Sequence, residues 1–144
     1  MLVMTFGPLV DVDTLARHIG DADWVVVDCR FTLTDPSAGR AAYDRGHIVG
    51  ARYAHLDDDL ARRPQPHEGR HPLPDPRRFA ATLGRWGIDQ NTTVVAYDDA
   101  SGAIAARLWW LLGWLGQRRC AVLDGGFAAW AAAGQPVEHT PPTF

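Results

Sequence analysis

Lysine is absent from this sequence of 144 residues, because all 14 of its basic residues are arginine. The absence excludes chemistry that depends on a lysine amine, including Schiff-base formation and phosphate binding by a P-loop. A large excess of one charge is also absent, since the net charge is -3 and the isoelectric point is about 6.0. This balance predicts no basic surface for nucleic acid.

Cysteine is scarce, since only Cys29 and Cys120 are present, each within an apolar run typical of a strand. Two such residues do not make a disulfide framework, which favours a reducing compartment and predicts a cytoplasmic protein. We interpret each thiol as a small buried hydrophobic group and not as a nucleophile. Four histidines, His18, His55, His67 and His139, lack companions at metal-ligand spacing, and no metal or cofactor is expected.

Long hydrophobic runs are also missing. The most apolar stretch, 108–115, is closely bracketed by arginines and falls short of the ~20 residues of a membrane span. The opening eight residues lack the basic start and long apolar segment of a signal peptide. Hydrophobic residues nevertheless make up 47% of the chain, which is enough for the core of one domain.

The sequence does contain alternating strand-like and helical segments. Apolar, β-branched runs predict strands at 24–29, 51–53, 93–97 and 120–123. Capping residues and helical spacing predict helices at 11–19, 38–45, 75–86, 102–115 and 127–133. This alternation predicts an α/β domain with a parallel sheet covered on both faces. Ligands of such folds lie beyond the carboxyl ends of strands, here after Cys29, Tyr97 and Leu123.

Two segments fall outside this alternation. An excursion from Asp57 to Pro74 is rich in Pro, Arg, His and Asp, and irregular segments this long are usually functional or disordered. The proline-rich tail from Pro136 to Phe144 predicts a linker. We therefore predict one domain at 1–135, followed by the start of an interdomain linker at 136–144.

The loop after the strand at 93–97 contains Asp98, Asp99, Ser101 and Gly102 and leads into a helix. Inward-pointing amides and the positive end of the helix predict an anion cradle. An enzyme would place a thiolate at the strand end, whereas Asp98 is a weak nucleophile that cannot carry sulfur. We interpret Asp98 as bonded to the loop amides or to Ser101. Aspartyl-phosphate chemistry is the less favoured alternative, because no lysine or acidic metal cluster accompanies it.

Five motifs in order make a resemblance specific. They are Asp28–Phe31, Ala42–Ala51, Gly69–Pro74, Val94–Asp98 and Val122–Trp130. Together they resemble the rhodanese family, and in detail the N-terminal domain of its two-domain thiosulfate and 3-mercaptopyruvate sulfurtransferases, over residues 8 to 144. The resemblance implies a three-layer α/β fold with a central parallel five-stranded sheet.

In those two-domain proteins the N-terminal half is catalytically silent. A cysteine of the C-terminal half takes sulfane sulfur as a persulfide and passes it to cyanide or another thiophile. The resemblance implies that this chain, with Asp98 at the matching position, is inactive alone. Its implied partners are a C-terminal catalytic rhodanese domain and a small anionic sulfur donor.

The resemblance also assigns residues of the excursion. Asp57 matches an acidic residue of the interdomain cleft, and His71 matches a histidine beside it. With a serine of the other half they form a relay of the Ser-His-Asp kind, in which an Asp orients a His that handles a proton. Arg70 adds positive charge for an anionic donor. His47 is interpreted as holding backbone carbonyls before a strand.

Two other functions remain open. The first is a stand-alone inactive module that holds a partner or small ligand in its anion loop. The second is a phosphatase related to the dual-specificity cell-cycle enzymes, which needs a Cys-x5-Arg loop where this chain has Asp98. We also expect Trp109, Trp110 and Trp114 to lie in the core or at a domain interface.

Overall fold

The computed structural model describes residues 7–142. Its strands are β1 (Leu9–Val10), β2 (Trp24–Asp28), β3 (His47–Ile48), β4 (Arg52–Tyr53), β5 (Thr93–Tyr97), β6 (Cys120–Leu123) and β7 (Val137–Glu138). Its helices are α1 (Val12–His18), α2 (Ala38–Arg45), α3 (Pro76–Arg85), α4 (Ala105–Trp114) and α5 (Gly126–Ala132). The opening eight residues, for which no signal peptide is predicted, lie mostly outside the described residues.

The central sheet has five strands in the order β1-β6-β5-β2-β4, and every pairing is parallel. The α/β class and the five-stranded parallel sheet are therefore confirmed. The sequence pattern showed four of the strands, while β1 is only two residues long and too short to show a period. In the longest pairing, Trp24 to Asp28 lie beside Thr93 to Tyr97.

Helices cover both faces of this sheet. On one face Val25 and Val27 pack with Phe79 of α3 and with Leu108 and Leu111 of α4. The opposite face carries a second apolar cluster, to which α1, α2 and α5 contribute Leu15, Tyr43 and Trp130. Successive strand residues point to opposite faces, so a sheet buried on both sides needs the continuous apolar runs seen in the sequence.

The tryptophans of α4 lie outside both clusters. Trp109, Trp110 and Trp114 are 41%, 50% and 38% exposed, and the rings of Trp110 and Trp114 stack with centroids 6.3 Å apart. Of the two expected places for these rings, the core is therefore excluded, and the domain interface stays a prediction. A helix has one face toward the sheet, and in α4 leucines occupy that face.

Helix boundaries follow from local capping. The Asp11 carboxylate accepts the Thr14 amide at 2.7 Å at the start of α1. At the start of α3, Asp75 accepts the Arg78 amide at 3.0 Å, and Pro76 occupies the first turn. These side chains satisfy amides that have no partner within the helix. The helix start predicted at 102 is wrong, because α4 begins at Ala105 after a turn in the Asp98 loop.

A small second sheet joins the tail to the domain, because β3 and β7 pair antiparallel, with His47 beside Glu138. The buried His47 lies 2.8 Å from the Tyr43 carbonyl oxygen through Nδ1 and 3.2 Å from the Thr140 oxygen through Nε2. The interpretation of His47 as a holder of carbonyls is therefore confirmed. The first residues of the predicted linker pack on the domain, and residues 143–144 lie outside the described residues.

A buried polar network fixes the ends of the two central strands. Asp28 accepts hydrogen bonds from the Arg30 guanidinium at 2.7 Å and from the Tyr97 hydroxyl at 2.6 Å. Arg30 also donates to the Gly46 carbonyl and lies 4.2 Å above the centroid of Phe127. Pairing and hydrogen bonding offset the cost of burying these charges.

None of the helices within residues 7–142 has both the length and the apolar character that a membrane span requires.

Candidate functional site

Two regions at the carboxyl edge of the sheet carry the predicted site residues. One is the Asp98 loop, residues 98–104, which connects β5 to α4 beside the start of α5. The other is the irregular segment 54–75, which includes the predicted excursion of 57–74 and is called the excursion from here on. It leaves the end of β4 and forms a cleft near the end of β2. Parallel strands bring these segments to one edge, which is where α/β folds bind ligands.

The carboxylate of Asp98 fills the anion cradle of its own loop. Its Oδ1 accepts the amides of Ala100 and Gly102 at 2.9 Å each. Its Oδ2 accepts the amides of Ile104 and Ala105 at 2.9 and 2.8 Å. The residue is 1% exposed. The predicted bonding to loop amides is therefore confirmed, and the Ser101 side chain is not among these donors.

The backbone of the Asp98 loop follows from this bonding. Ser101 and Gly102 have φ angles of 57° and 86°, which turn the chain so that its amides converge on one carboxylate. Next to the loop, a Cβ on Gly126 would lie 2.4 Å from the Asp98 carbonyl oxygen. Phe127 donates its amide to that same oxygen at 3.1 Å. Glycine at 126 therefore allows α5 to start against the loop.

A pocket of about 440 Å³ lies over the Asp98 loop, and Asp99, Ser101 and Gly102 line it together with Asp98. The loop has the shape of an anion site, but one carboxylate already occupies four of its amide donors. The same bonds hold both carboxylate oxygens, which leaves Asp98 poorly suited to attack a phosphoryl group.

The structure brings Asp57 and His71 together, although they lie 14 positions apart on an irregular segment. The Asp57 carboxylate lies 2.9 Å from Nε2 of His71. The side chains are 41% and 21% exposed, so the pair lies at a surface that solvent or a substrate can reach. The Phe31 ring meets the imidazole edge-on, with centroids 6.4 Å apart.

This bond selects one tautomer of the neutral imidazole. An ionised carboxylate only accepts hydrogen bonds, so the proton lies on Nε2 of His71 and the lone pair on Nδ1. Within residues 7–142, Nδ1 of His71 has no hydrogen-bond partner. The arrangement provides an oriented base with one free nitrogen.

His55, to which the sequence interpretation gave no role, orients the acidic partner. Its Nε2 donates to the Pro36 carbonyl at 3.0 Å, so its Nδ1 carries the lone pair. That nitrogen accepts the amides of Asp57 and Asp58 at 3.2 and 3.3 Å. The sequence offered one signal, namely a histidine two residues before a candidate carboxylate.

The cleft that contains His71 has a volume of about 610 Å³ and is lined by arginines. Arg62 is paired with Glu68 of the same excursion. Arg63 and Arg70 also line the cleft and are exposed, and neither forms a side-chain hydrogen bond or ion pair with the described residues. The predicted Arg70 is thus joined by Arg63, which the motifs did not identify.

The cysteines lie in the core. Cys29 follows β2 and is fully buried, and Cys120 at the start of β6 is buried too. Burial raises the pKa of the Cys29 thiol well above its usual range, and neighbouring carboxylates raise it further. Burial also raises the pKa of Cys120 to about 12. These thiols remain protonated at neutral pH, so neither is a ready nucleophile.

Comparison with known proteins assigns the family. The sequence profile of the rhodanese-like domain matches residues 11–133, which is most of the chain. The chain belongs to the rhodanese-like domain family. Its fold matches a solved member closely: a 3-mercaptopyruvate sulfurtransferase from Leishmania major superimposes with a TM-score of 0.85 at 34% identity. That alignment covers 94% of this chain and 37% of the other.

Two curated rhodanese relatives are also similar. A probable 3-mercaptopyruvate sulfurtransferase of Pseudomonas aeruginosa is 49% identical over 133 residues, which is 91% of this chain and 47% of that protein. A putative thiosulfate sulfurtransferase of Mycobacterium tuberculosis is 40% identical over 131 residues, or 90% and 46%. The chain spans about half the length of the curated relatives it matches.

Proposed function

We propose that this rhodanese domain is the non-catalytic half of a sulfurtransferase. In this proposal Asp57, His71 and Arg70 face a second rhodanese domain, and a cysteine of that domain carries the sulfur as a persulfide. The donor is thiosulfate or 3-mercaptopyruvate, and the acceptor is cyanide or another thiophile. The observation that carries the proposal is the oriented Asp57–His71 pair in an open cleft with unpaired arginines.

The relatives support this division of labour. The names of the similar proteins describe sulfurtransferases, and this chain corresponds to about half of each curated relative. Neither cysteine of the chain lies in the Asp98 loop, and both are buried. We therefore propose that this chain is inactive alone and that residues from Pro136 onward lead toward the catalytic domain. Two free cysteines also suit a reducing compartment, so we propose the cytoplasm.

The geometry supports a specific task for His71 with 3-mercaptopyruvate. The free Nδ1 removes the proton of the donor thiol, and Asp57 stabilises the resulting imidazolium. The partner cysteine thiolate then attacks the donor sulfur, so an S–S bond forms and the C–S bond breaks. The electron pair of the C–S bond remains on carbon, and the imidazolium returns the proton to that carbon to give pyruvate.

The arginines give the cleft its preference for anions. Arg63 and Arg70 line the cleft without a bonded carboxylate among residues 7–142. A planar guanidinium binds carboxylates and sulfur oxyanions through paired hydrogen bonds. The donor therefore enters with its anionic group toward the arginines and its sulfur toward the partner domain.

A chimera tests this function directly. Residues 8–142 of this chain replace the matching half of the Pseudomonas aeruginosa relative, and pyruvate release from 3-mercaptopyruvate is measured with cyanide as acceptor. We expect the chimera to turn over and the chain alone to show none. His71→Ala in the chimera should lower kcat about 10²-fold, as loss of a general base does.

His67→Ala provides the control, because His67 lies on the same excursion but outside the Asp57–His71 pair. Turnover by the isolated chain, or full activity of the His71→Ala chimera, contradicts the proposal.

The two alternative functions both use the Asp98 loop. A binding module would hold an anion there, and a phosphatase would bind phosphate there. The four amide donors are already bonded to Asp98, which disfavours both functions.

A further inference from the structure

Arg107 reaches from the core of the domain to the excursion. It lies in the first turn of α4, shortly after the Asp98 loop, and its side chain is half-buried. Its Nε donates to the Leu60 carbonyl at 2.8 Å. Its Nη2 donates to the carbonyls of His71 and Pro72 at 2.9 and 3.2 Å. One guanidinium thus joins the two arms of the excursion, the part around Leu60 and the part around His71, to a helix packed on the sheet.

The excursion has few other main-chain anchors near His71. Residues 54–75 contain no helix or strand, so no ladder of backbone bonds holds them. The Arg62 amide donates to the Pro72 carbonyl at 3.3 Å, which joins the arms to each other but not to the core. Within residues 7–142, the only hydrogen bond to the main chain of His71 comes from Arg107.

We propose that Arg107 is a positioning residue for His71. It fixes the backbone beneath the imidazole so that Nε2 meets Asp57 and Nδ1 faces the cleft. This inference rests on the proposed function, because a fixed imidazole matters for turnover only if His71 handles the donor proton. A shift of about 1 Å at such a group costs about 10²-fold in rate.

The fork of the guanidinium suits this position. Three carbonyl oxygens from two chain segments converge on it, and its rigid planar donors reach all three. Burial lowers the pKa of Arg107, but the ordinary pKa of a guanidinium lies far above neutral pH. The group is therefore cationic at neutral pH. A lysine ammonium has no planar fork and retains only part of this bonding.

Arg52 is a matched control elsewhere in the fold. It is also half-buried, and it also donates to backbone carbonyls, those of Trp86 and Gly50, at 2.9 and 2.8 Å. Burial lowers the pKa of Arg52 as it does that of Arg107. Arg52→Met therefore removes a similar guanidinium without touching the excursion.

The test compares Arg107→Met, Arg107→Lys and Arg52→Met in the 144-residue chain. Long-range ¹H–¹⁵N NMR at about pH 8, where free imidazole is neutral, reports the His71 tautomer. We expect wild type and Arg52→Met to hold the Nε2–H tautomer, and Arg107→Met to lose this preference. Trypsin should cleave Arg107→Met in the excursion about tenfold faster, because local opening becomes easier. For Arg107→Lys, both the tautomer preference and the rate of trypsin cleavage should lie between those of wild type and Arg107→Met. If Arg107→Met does not fold, Arg107→Lys is compared with wild type instead.

Kinetics of the chimera separate the two proposals. Arg107→Met should lower kcat about tenfold with little change in KM, because a positioning residue affects the chemical step. It should add nothing to His71→Ala. Turnover that falls with His71→Ala but not with Arg107→Met overturns the positioning role alone. A changed tautomer in Arg107→Met with full turnover of His71→Ala overturns the proposed function alone. An unchanged tautomer, or equal changes in Arg52→Met, overturns the role of Arg107.

Discussion

The Asp98 loop and the excursion lie at the same edge of the sheet but use charge in opposite ways. In the loop, four amides enclose one buried carboxylate, so donors and acceptor satisfy each other. In the excursion, Arg63, Arg70 and a free imidazole nitrogen line an open cleft. The Asp98 carboxylate occupies the position that the family resemblance assigns to the catalytic cysteine. The accessible arginines and the free imidazole nitrogen lie on a segment without regular structure.

The difference shows that two segments at one edge of a sheet can differ in whether their polar groups are satisfied within the chain. The cradle still needs an anion, because converging buried amides without a partner are costly. Asp98 supplies an acceptor from within the chain and so stabilises the turn into α4. The excursion is under no such demand, and its unpaired cations remain available to a ligand.

A thiol placed in the anion cradle of the Asp98 loop should give the largest effect. In Asp98→Cys the amide donors should stabilise a thiolate, so iodoacetamide should react at about pH 6 some 10³-fold faster than with the native cysteines. Asp99→Cys is the matched control, because Asp99 is exposed and accepts no hydrogen bond among the described residues. A steep loss of Asp98→Cys reactivity below about pH 8, like that of an ordinary thiol, refutes the anion-cradle interpretation.

The native cysteines should make the free energy of unfolding depend on pH. Burial raises the pKa of Cys29 and of Cys120 above the ordinary value of 9.0, so the folded state retains protons that the unfolded chain releases. The free energy of unfolding should therefore fall as pH rises above about 9. Urea titrations of wild type and Cys120→Val between about pH 8 and 10 measure this slope, which should be smaller in the variant.

Removing the Asp98 carboxylate should cost stability. Asp98→Ala leaves four amides without their acceptor, so we expect the free energy of unfolding in urea to fall by about 3 kcal/mol. Asp57→Ala, at the half-exposed carboxylate of the excursion, should cost less than about 1 kcal/mol. Equal losses for the two variants would show that both carboxylates serve the fold.

The reverse pattern is expected for turnover. In the chimera, Asp57→Asn should lower kcat about tenfold, because the amide no longer stabilises the imidazolium and can present its NH₂ group to Nε2. Asp58→Asn is the control, since Asp58 lines the same cleft without bonding His71. Equal kcat values for the two variants would remove Asp57 from the mechanism.

The smallest effect is expected at the arginines. Arg63→Gln and Arg70→Gln in the chimera should each raise KM for 3-mercaptopyruvate about fivefold and leave kcat within about twofold, since each removes one exposed ionic contact. Added salt should reduce the difference in KM between each variant and the wild-type chimera. Arg77→Gln, on the exposed side of α3, should change nothing. A salt-independent KM would argue against an anion site.

Much of the fold could be predicted from local sequence. The continuous apolar runs of β2 and β5 required burial on both sides, and Asp11 and Asp75 marked helix starts by capping. The start of α4 was placed too early because helix propensity does not show that Asp98 captures the amides of the preceding turn. Strands of two residues, such as β1 and β7, are set by their neighbours and leave no periodic signal.

The residues of the candidate site also fall into those that local sequence indicates and those that it does not. Asp98 could be singled out because a strand, a loop of small residues and a helix are contiguous in the sequence. Asp57 and His71 came from the family resemblance, and the 2.9 Å between them depends on how the excursion folds back. His55 and Arg107 were not identified, because their bonds to Pro36 and to His71 join separate segments of the chain. Arg63 was not identified either, because only its place in the folded cleft marks it.

Local sequence was enough to predict the α/β class and the apolar strands and to single out the aspartate at the end of β5, because these features depend on burial and on neighbouring residues. Which charges are satisfied depends on the tertiary fold. It enclosed Asp98 within four amides, left a nitrogen of His71 free and fastened the excursion through Arg107. Hydrogen bonds depend on distance and direction between atoms, and the folded chain alone sets both.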